Sequence, residues 1–368
     1  MNSSDVIVVG GGIAGSVSAY FLAREGFRVR LLERGELAAE ASGAAAGMLL
    51  PIGEARGRSA LYRFGMRSLA EFPELCDELI ERTGFDPEYE ASGALHVATT
   101  ETRLRELQTA RVALPEAKLE VLGADETRAE ASLGPDVCGS LWSPGEAHVR
   151  SPLFAKALAA GAAQLGVRIE TGTLVTGFVR RGDRVVGVRT PDHVFAADHV
   201  VLCSGAWAPS MLDEVGGGFR LPVEPVRGQI VALERPESAS RAIIFAENVY
   251  LVAKRDGTLV AGATQEHVGF DRRVTAEGVL TVLRAATRLA PALATASFRG
   301  AWAGLRPTTP DGLPLIGPHP NLENLILATG HSRSGVLLAP VTGRWVADLV
   351  AEKSPVPEEL SPSRFAPA

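Results

Sequence analysis

Three cysteines in 368 residues, Cys76, Cys138 and Cys203, are too few and too widely spaced for a disulfide framework or a zinc site. A reducing compartment fits that usage, and no metal site is expected. Lysine is almost as scarce: Lys118, Lys156, Lys254 and Lys353 are the only four, so nearly all the positive charge is guanidinium. There is no dense Lys/Arg block and the formal net charge is -6, which leaves nucleic acid and anionic membranes without an electrostatic footprint. No run approaches the roughly 18 consecutive apolar residues of a membrane span. The N-terminus has no basic segment leading into an apolar stretch, so the expected location is the cytoplasm. GxSxG, HExxH, CxxC and internal repeats are also missing, which removes the common hydrolase, zincin and redox-dithiol readings.

The chain is 46% hydrophobic and 22% charged, which places it among ordinary globular proteins, and its length is too great for one core. Residues 5–10, DVIVVG, form a β-branched run of the kind buried on both faces of a sheet. Apolar positions from Ile13 to Arg24 then recur at helical spacing, Gly26 ends the helix, and FRVRLLE reads as a second strand. This is a βαβ unit. A long helix is expected over 59–83, then an antiparallel excursion containing ALHVATT, a further helix at 152–165, and a hairpin turning near Gly182. HVVLCSGAW returns to a buried strand. A second excursion starts near Gly216–Gly218 with the strands GQIVALE, VYLVAK and GTLVAGAT, and NLILATGHSRSGVLLAPVTGRWVADLV gives a last buried strand, a loop and a terminal helix. The Pro-rich tail from Ser354 is expected to be disordered.

Gly10, Gly12 and Gly15 make GxGxxG between a strand and a helix, where the first glycine permits a tight turn, the second a close phosphate and the third helix–strand packing. The helix start at Ile13 and Ala14 offers N–H groups to a pyrophosphate. Glu33, 18 residues beyond Gly15 and followed by Arg34, can accept hydrogen bonds from an adenosine ribose. A dinucleotide follows, but the unit does not separate NAD from FAD. The small-sided run at 41–49, with Ser42, Gly43, Ala45, Ala46, Gly47 and Met48, either lets a flat ring lie close to the chain or is a loop in an Ala-rich protein. Gly330–Gly335 is either an anion site at a helix start, suited to a reduced flavin, or an ordinary helix start.

Together VGGGIAG with Glu33, SGAAAGM, SGAW at 204–207, AGLRPTTPDGLPLIG at 303–317 and GHSRSGVLLAPVTG at 330–343 resemble the D-amino-acid oxidase family, and within it the glycine oxidase branch of thiazole biosynthesis. The resemblance spans about residues 5–350. It implies an α/β chain with a glutathione-reductase-type Rossmann FAD domain (1–86, 147–219 and 306–352) and a second, mostly antiparallel α+β substrate domain (87–146 and 220–305); composition leaves a flexible tail at 353–368. It implies FAD as cofactor and oxidation of a small amino acid, with dioxygen as acceptor; the alternative acceptor is a quinone or carrier protein. A homo-oligomer is a common outcome for such a chain.

By position, the resemblance places the carboxylate-binding arginine at Arg306, a second pocket arginine at Arg333, a lid tyrosine at Tyr250 and a methionine beside the flavin at Met48. Val175 falls where the family's backbone meets adenine. Ser204, Gly205 and Trp207, with His331, Ser334, Gly335, Val336 and Leu337, complete the implied cofactor contacts. The chain departs from the branch's YLVPR with Ala253 and Lys254 after Tyr250–Val252, and carries Asn248 where a different polar or histidine lid residue is expected. On chemistry alone, Arg306 can pair a carboxylate through two parallel charged bonds, as no lysine can, or be a surface arginine beside a Pro-rich turn. Arg333 is open to pairing with an acidic neighbour, and Tyr250 to covering the core. His331 is expected to matter through its backbone.

Overall fold

The structure is a computed structural model that describes residues 4–53, 58–215 and 218–366. Two eight-stranded sheets hold most of the strands, and Met48–Leu49 pairs with Ala147–His148 in a separate two-stranded ribbon. In the first, Ser4–Val9 lies between Val29–Leu32 and Val194–Leu202, with Arg168–Glu170 and Leu325–Thr329 outside these, all parallel. Leu315–Pro318 closes one edge antiparallel, and the hairpin Gly177–Arg181 with Arg184–Arg189 extends antiparallel from Val194–Leu202. The central strands are largely apolar and buried on both faces, one covered by helices and the other by the Gly177–Arg189 hairpin with the short helix Ala208–Val215.

Ile13–Arg24 packs between Ser151–Gln164 and Ala339–Val350. The approach to Ala339–Val350 is close enough that a Cβ on Gly343 would lie 2.6 Å from the Phe21 ring and 2.8 Å from the Val17 carbonyl, so glycine there is a packing requirement. Ala60–Thr83 matches the expected long helix. Ser59 accepts the Tyr62 N–H at its start, and Gly84 at φ +73° ends it.

The second sheet runs Phe298–Thr308, Glu224–Glu234, Thr258–Gly262, Tyr250–Ala253, Ile243–Phe245, Ala94–Ala98, Gly139–Ser143, Glu120–Gly123. Every neighbouring pair is antiparallel except Ile243–Phe245 with Ala94–Ala98, and the helices Glu101–Ala113 and Ala276–Leu289 flank this sheet. The chain is therefore α/β, with a nucleotide-type sheet and a largely antiparallel one. Arg306 belongs to the second sheet, since the strand Phe298–Thr308 runs past residue 305.

One expectation is corrected. The tail does not hang free: Leu360 is fully buried in the core shared by the helices, and Arg364 bonds both oxygens of Asp311, at 2.8 and 3.2 Å, and the Leu313 carbonyl at 2.9 Å. Proline-rich composition is compatible with short 3₁₀ turns as well as with disorder, and here Glu358–Leu360 and Pro362–Phe365 form two of them. Residues 367–368, and Gly216 and Gly217 of the glycine cluster, lie outside the described residues.

Candidate active site

Strand Ser4–Val9 ends in Gly10 at φ +108°, and a Cβ there would sit 2.6 Å from the Cys203 carbonyl oxygen. Gly15 is even more constrained: its Cβ would fall 1.8 Å from the Gly10 carbonyl oxygen. The first and third glycines of the motif are thus required by the chain itself. Gly12 and the start of the helix face a long cleft of about 420 Å³, where Ile13 N–H donates to Ser42 Oγ at 2.9 Å.

Glu33 leaves the end of its strand and lines the same cleft. Its carboxylate accepts the Gly11 N–H at 2.6 Å and the Gly35 N–H at 2.8 Å, which fixes its orientation and leaves lone pairs for hydroxyl donors. Beyond it the cleft passes Val175, then Ser204, Gly205 and Trp207. The Arg34 guanidinium lies 3.9 Å from the Trp207 ring centroid and pairs with Glu40 at 2.9 Å, so cation–π attraction and an ion pair hold that wall. Ser204 Oγ is buried with no hydrogen-bond partner among the described residues, a polar atom left for a ligand. At the far end lie His331, Arg333, Gly335 and Val336.

A second cavity of about 80 Å³ continues from that end, sharing Ala41, Ala45, Ser332, Arg333 and Val336 with the cleft. Ala46, Gly47, Met48 and Leu337 form part of its wall, and Tyr250, Arg306 and Arg333, with the hydroxyls of Ser332 and Ser334, supply its hydrogen-bonding side chains. Arg306 donates from Nη1 to the Thr264 carbonyl at 3.1 Å. Arg333 lies 5.8 Å from the centroid of Phe245. Tyr250, at the start of its strand, is 7% exposed.

Of the candidate catalytic and cofactor residues, Gly15 and Gly43 fall outside both linings: Gly15 packs against Gly10, and a Cβ on Gly43 would meet the Ala38 carbonyl oxygen at 2.3 Å. Asn248 is exposed and also outside. The helix expected to open from Gly330–Gly335 begins only at Ala339; the turn before it, Ser334 to Leu338, is what lines the cavities, through Ser334, Gly335, Val336 and Leu337. His331 is buried and its Nε2 is 3.1 Å from Thr342 Oγ1; burial pushes its pKa down to about 4 and keeps the ring neutral.

Two site residues were not foreseen. A Cβ on Gly228 would lie 2.3 Å from Arg306 Nη2, and one on Gly262 would lie 2.4 Å from Tyr250 Oη. Each glycine is the floor beneath a head group that lines the smaller cavity. Both sit in strands that read well as strands, so the only signal was glycine inside a β run, which marks close approach without naming the visitor.

The FAD dependent oxidoreductase family model, DAO, matches residues 5–349. The chain belongs to this family. It is 35% identical to the glycine oxidase of Pseudomonas putida, over 99% of this chain and 98% of that protein. It is 36% identical to the bifunctional protein ThiO/ThiG of Trichormus variabilis, over 98% of this chain and 55% of that longer protein. Among solved structures, glycine oxidase from Geobacillus kaustophilus superposes with a TM-score of 0.95 at 35% identity, covering all of both chains. The chain is thus an FAD-dependent enzyme of the amino-acid oxidase class. The cleft fits that cofactor: a glycine turn whose first and third positions have no room for a Cβ, a carboxylate held in the cleft by two backbone amides, and a buried Ser204 hydroxyl without a partner among the described residues. Among the described residues no helix is long and apolar enough to cross a membrane, and no three His, Cys, Asp or Glu side chains cluster to hold a metal.

Proposed function

We propose that the chain catalyses oxidative deamination of a small amino acid, glycine first, with sarcosine and D-alanine as the next candidates, and uses dioxygen as acceptor. The observation that carries this is the cavity of about 80 Å³ into which two arginines and a tyrosine are brought together, beside the hydroxyls of Ser332 and Ser334. FAD held in the cleft by the glycine turn and Glu33 would supply the two-electron acceptor for the hydride on the substrate Cα, with dioxygen as the terminal acceptor and hydrogen peroxide as its product.

The protein's own residues do the positioning. Arg306 pairs the substrate carboxylate through two charge-assisted bonds, and its Nη1 bond to Thr264 holds the fork in place before substrate arrives. Tyr250 and Arg333 close the polar side, while Met48 and the alanines around it form an apolar wall that leaves little room for a side chain on Cα. No general base is needed. His331 is neutral and bonded to Thr342, so the substrate ammonium loses its proton to solvent before the hydride leaves. The product imine takes up water and yields the oxo acid and ammonia, or a primary amine when the nitrogen carried a methyl group. The identity to glycine oxidases over the full chain supports this choice of substrate.

The test is an anaerobic absorbance spectrum of the purified holoprotein before and after adding glycine, sarcosine and D-alanine, followed by a peroxide assay in air. Bleaching of the flavin bands by one of them, with peroxide formed and no other acceptor added, is the expected result. Bands that persist with all three would overturn the substrate class. Bleaching without peroxide would overturn the acceptor.

A further inference from the structure

Lys118, Lys156 and Lys353 are exposed, as lysines usually are, but Lys254 is 8% exposed. It stands one residue past the strand Tyr250–Ala253, and its Nζ donates to the carbonyls of Ala46 at 2.8 Å and Val149 at 2.9 Å and lies 3.3 Å from His148 Nδ1. An ammonium has three protons, and here three acceptors surround it. None of the three is a carboxylate, so no counter-charge offsets the cost of burying the ion directly. A methionine would fill the same space without that cost.

The atoms it holds form one knot. Val149 N–H donates to the Gly47 carbonyl at 2.9 Å, Gly47 is at φ +80°, and a Cβ there would fall 1.9 Å from the Val149 carbonyl oxygen. Met48 pairs with His148 across a two-stranded ribbon. Ala46, Gly47 and Met48 all line the smaller cavity. The lysine therefore ties the strand bearing Tyr250 to the segment along which the two cavities meet. Burial, with Arg150 adding to it, pushes the ammonium down to about 7, while Glu88, Glu90 and Asp256 oppose the shift. Burial, with Lys254 and Arg255 adding to it, pushes His148 down to about 3, so its ring is neutral and can accept the third proton.

We propose that Lys254 is a positioning residue for the cofactor: its ammonium clamps the Ala46 and Val149 carbonyls and so holds the 45–48 segment in the shape against which FAD lies. The inference rests on the reading of that segment as the wall of the flavin site, and the experiment separates the two. Wild type, Lys254→Met, Lys254→Arg and Ala45→Trp are prepared as apoproteins, checked for folding by thermal melting, and titrated with FAD by fluorescence quenching. The visible circular dichroism of each flavin complex is then recorded.

Lys254→Met is expected to weaken FAD binding by about tenfold or more, the scale of one charge-assisted hydrogen bond, and to change the flavin's dichroism. Lys254→Arg is expected to restore both, since it keeps the cation. A merely structural lysine would shift the melting temperature and leave the dichroism as in wild type, and that result overturns the proposal. So does a folded Lys254→Arg protein that binds FAD no better than Lys254→Met, and if Lys254→Met does not fold, a folded Lys254→Arg with wild-type affinity and dichroism is the supporting outcome. Ala45→Trp intrudes on the site itself: if it blocks FAD while Lys254→Met binds normally, only the lysine proposal falls, and if it binds FAD as wild type does, the reading of the segment falls with it.

Discussion

Gly228→Ala tests whether the placement of Arg306, and not merely its presence, governs the reaction. Gly228 sits in the strand Glu224–Glu234, paired with Gly304 and two residues along from the Val226–Arg306 pair. An added Cβ would lie 2.3 Å from Nη2, 2.4 Å from Nη1 and 2.5 Å from Cζ of Arg306, whereas ordinary contact begins at 3.4 Å, so the guanidinium must move by about 1 Å. What must move is the end of a long side chain, and Gly228 does not have a left-handed φ, so the fold should lose no more than about 1 kcal/mol. A misplacement of about 1 Å in a substrate-positioning group can cost on the order of a hundredfold in rate. The expected outcome is therefore a kcat/KM for glycine lowered about a hundredfold with an almost unchanged Tm, read by steady-state peroxide formation and thermal melting. The double-mutant cycle decides the mechanism: on an Arg306→Ala background the glycine change should cost almost nothing more, because the group it displaces is gone. Wild-type kcat/KM in Gly228→Ala, or full additivity with Arg306→Ala, would refute the reasoning.

Three further outcomes follow from the same geometry. Glu33→Gln replaces the acceptor of the Gly11 and Gly35 amides by a neutral group that turns an NH2 toward one of them, so FAD affinity should fall by about 1.5 to 3 kcal/mol in an FAD titration of the apoprotein; unchanged affinity would remove Glu33 from the cofactor site. Burial holds the folded-state pKa of His331 near 4, below its ordinary value of 6.5, so below about pH 6.5 the unfolded chain binds its proton first; stability should be complete at pH 7 and fall toward pH 4, by on the order of 2 kcal/mol at pH 5 from this group, and a Tm flat between pH 7 and pH 5 would contradict it. Leu360→Ala should cost about 2 to 5 kcal/mol in denaturant unfolding if the docked tail belongs to the core, and an unchanged midpoint would mean that it does not.

The parts of this molecule that sequence made legible are those whose cause is local. The βαβ turn shows itself because Gly10 and Gly15 are demanded by atoms within the same unit or at the end of the adjoining strand, and Glu33 follows at the next strand's end. The antiparallel runs show themselves through alternation and turns, and the long helix through its apolar side, its Ser59 cap and its Gly84 stop. The tail was misread because composition reports what a segment can avoid, whereas docking depends on whether a cavity waits for Leu360 and an acid waits for Arg364.

Gly228, Gly262 and Lys254 were illegible for a sharper reason. Each acts on a group far along the chain: Arg306 for the first, the Ala46 and Val149 carbonyls for the last, and Tyr250 across a strand pair for Gly262. A glycine in a strand and a lysine after one carry no local trace of such partners. Lys254 entered the reading only as a departure from a familiar string, which is a question about spelling until its burial is known. With burial in hand the departure becomes a physical problem, an ammonium inside the protein whose hydrogen-bond partners are two carbonyls and a neutral imidazole. A charge is retained in such a place at a cost, and the segment it grips is the one proposed above as the wall of the flavin site.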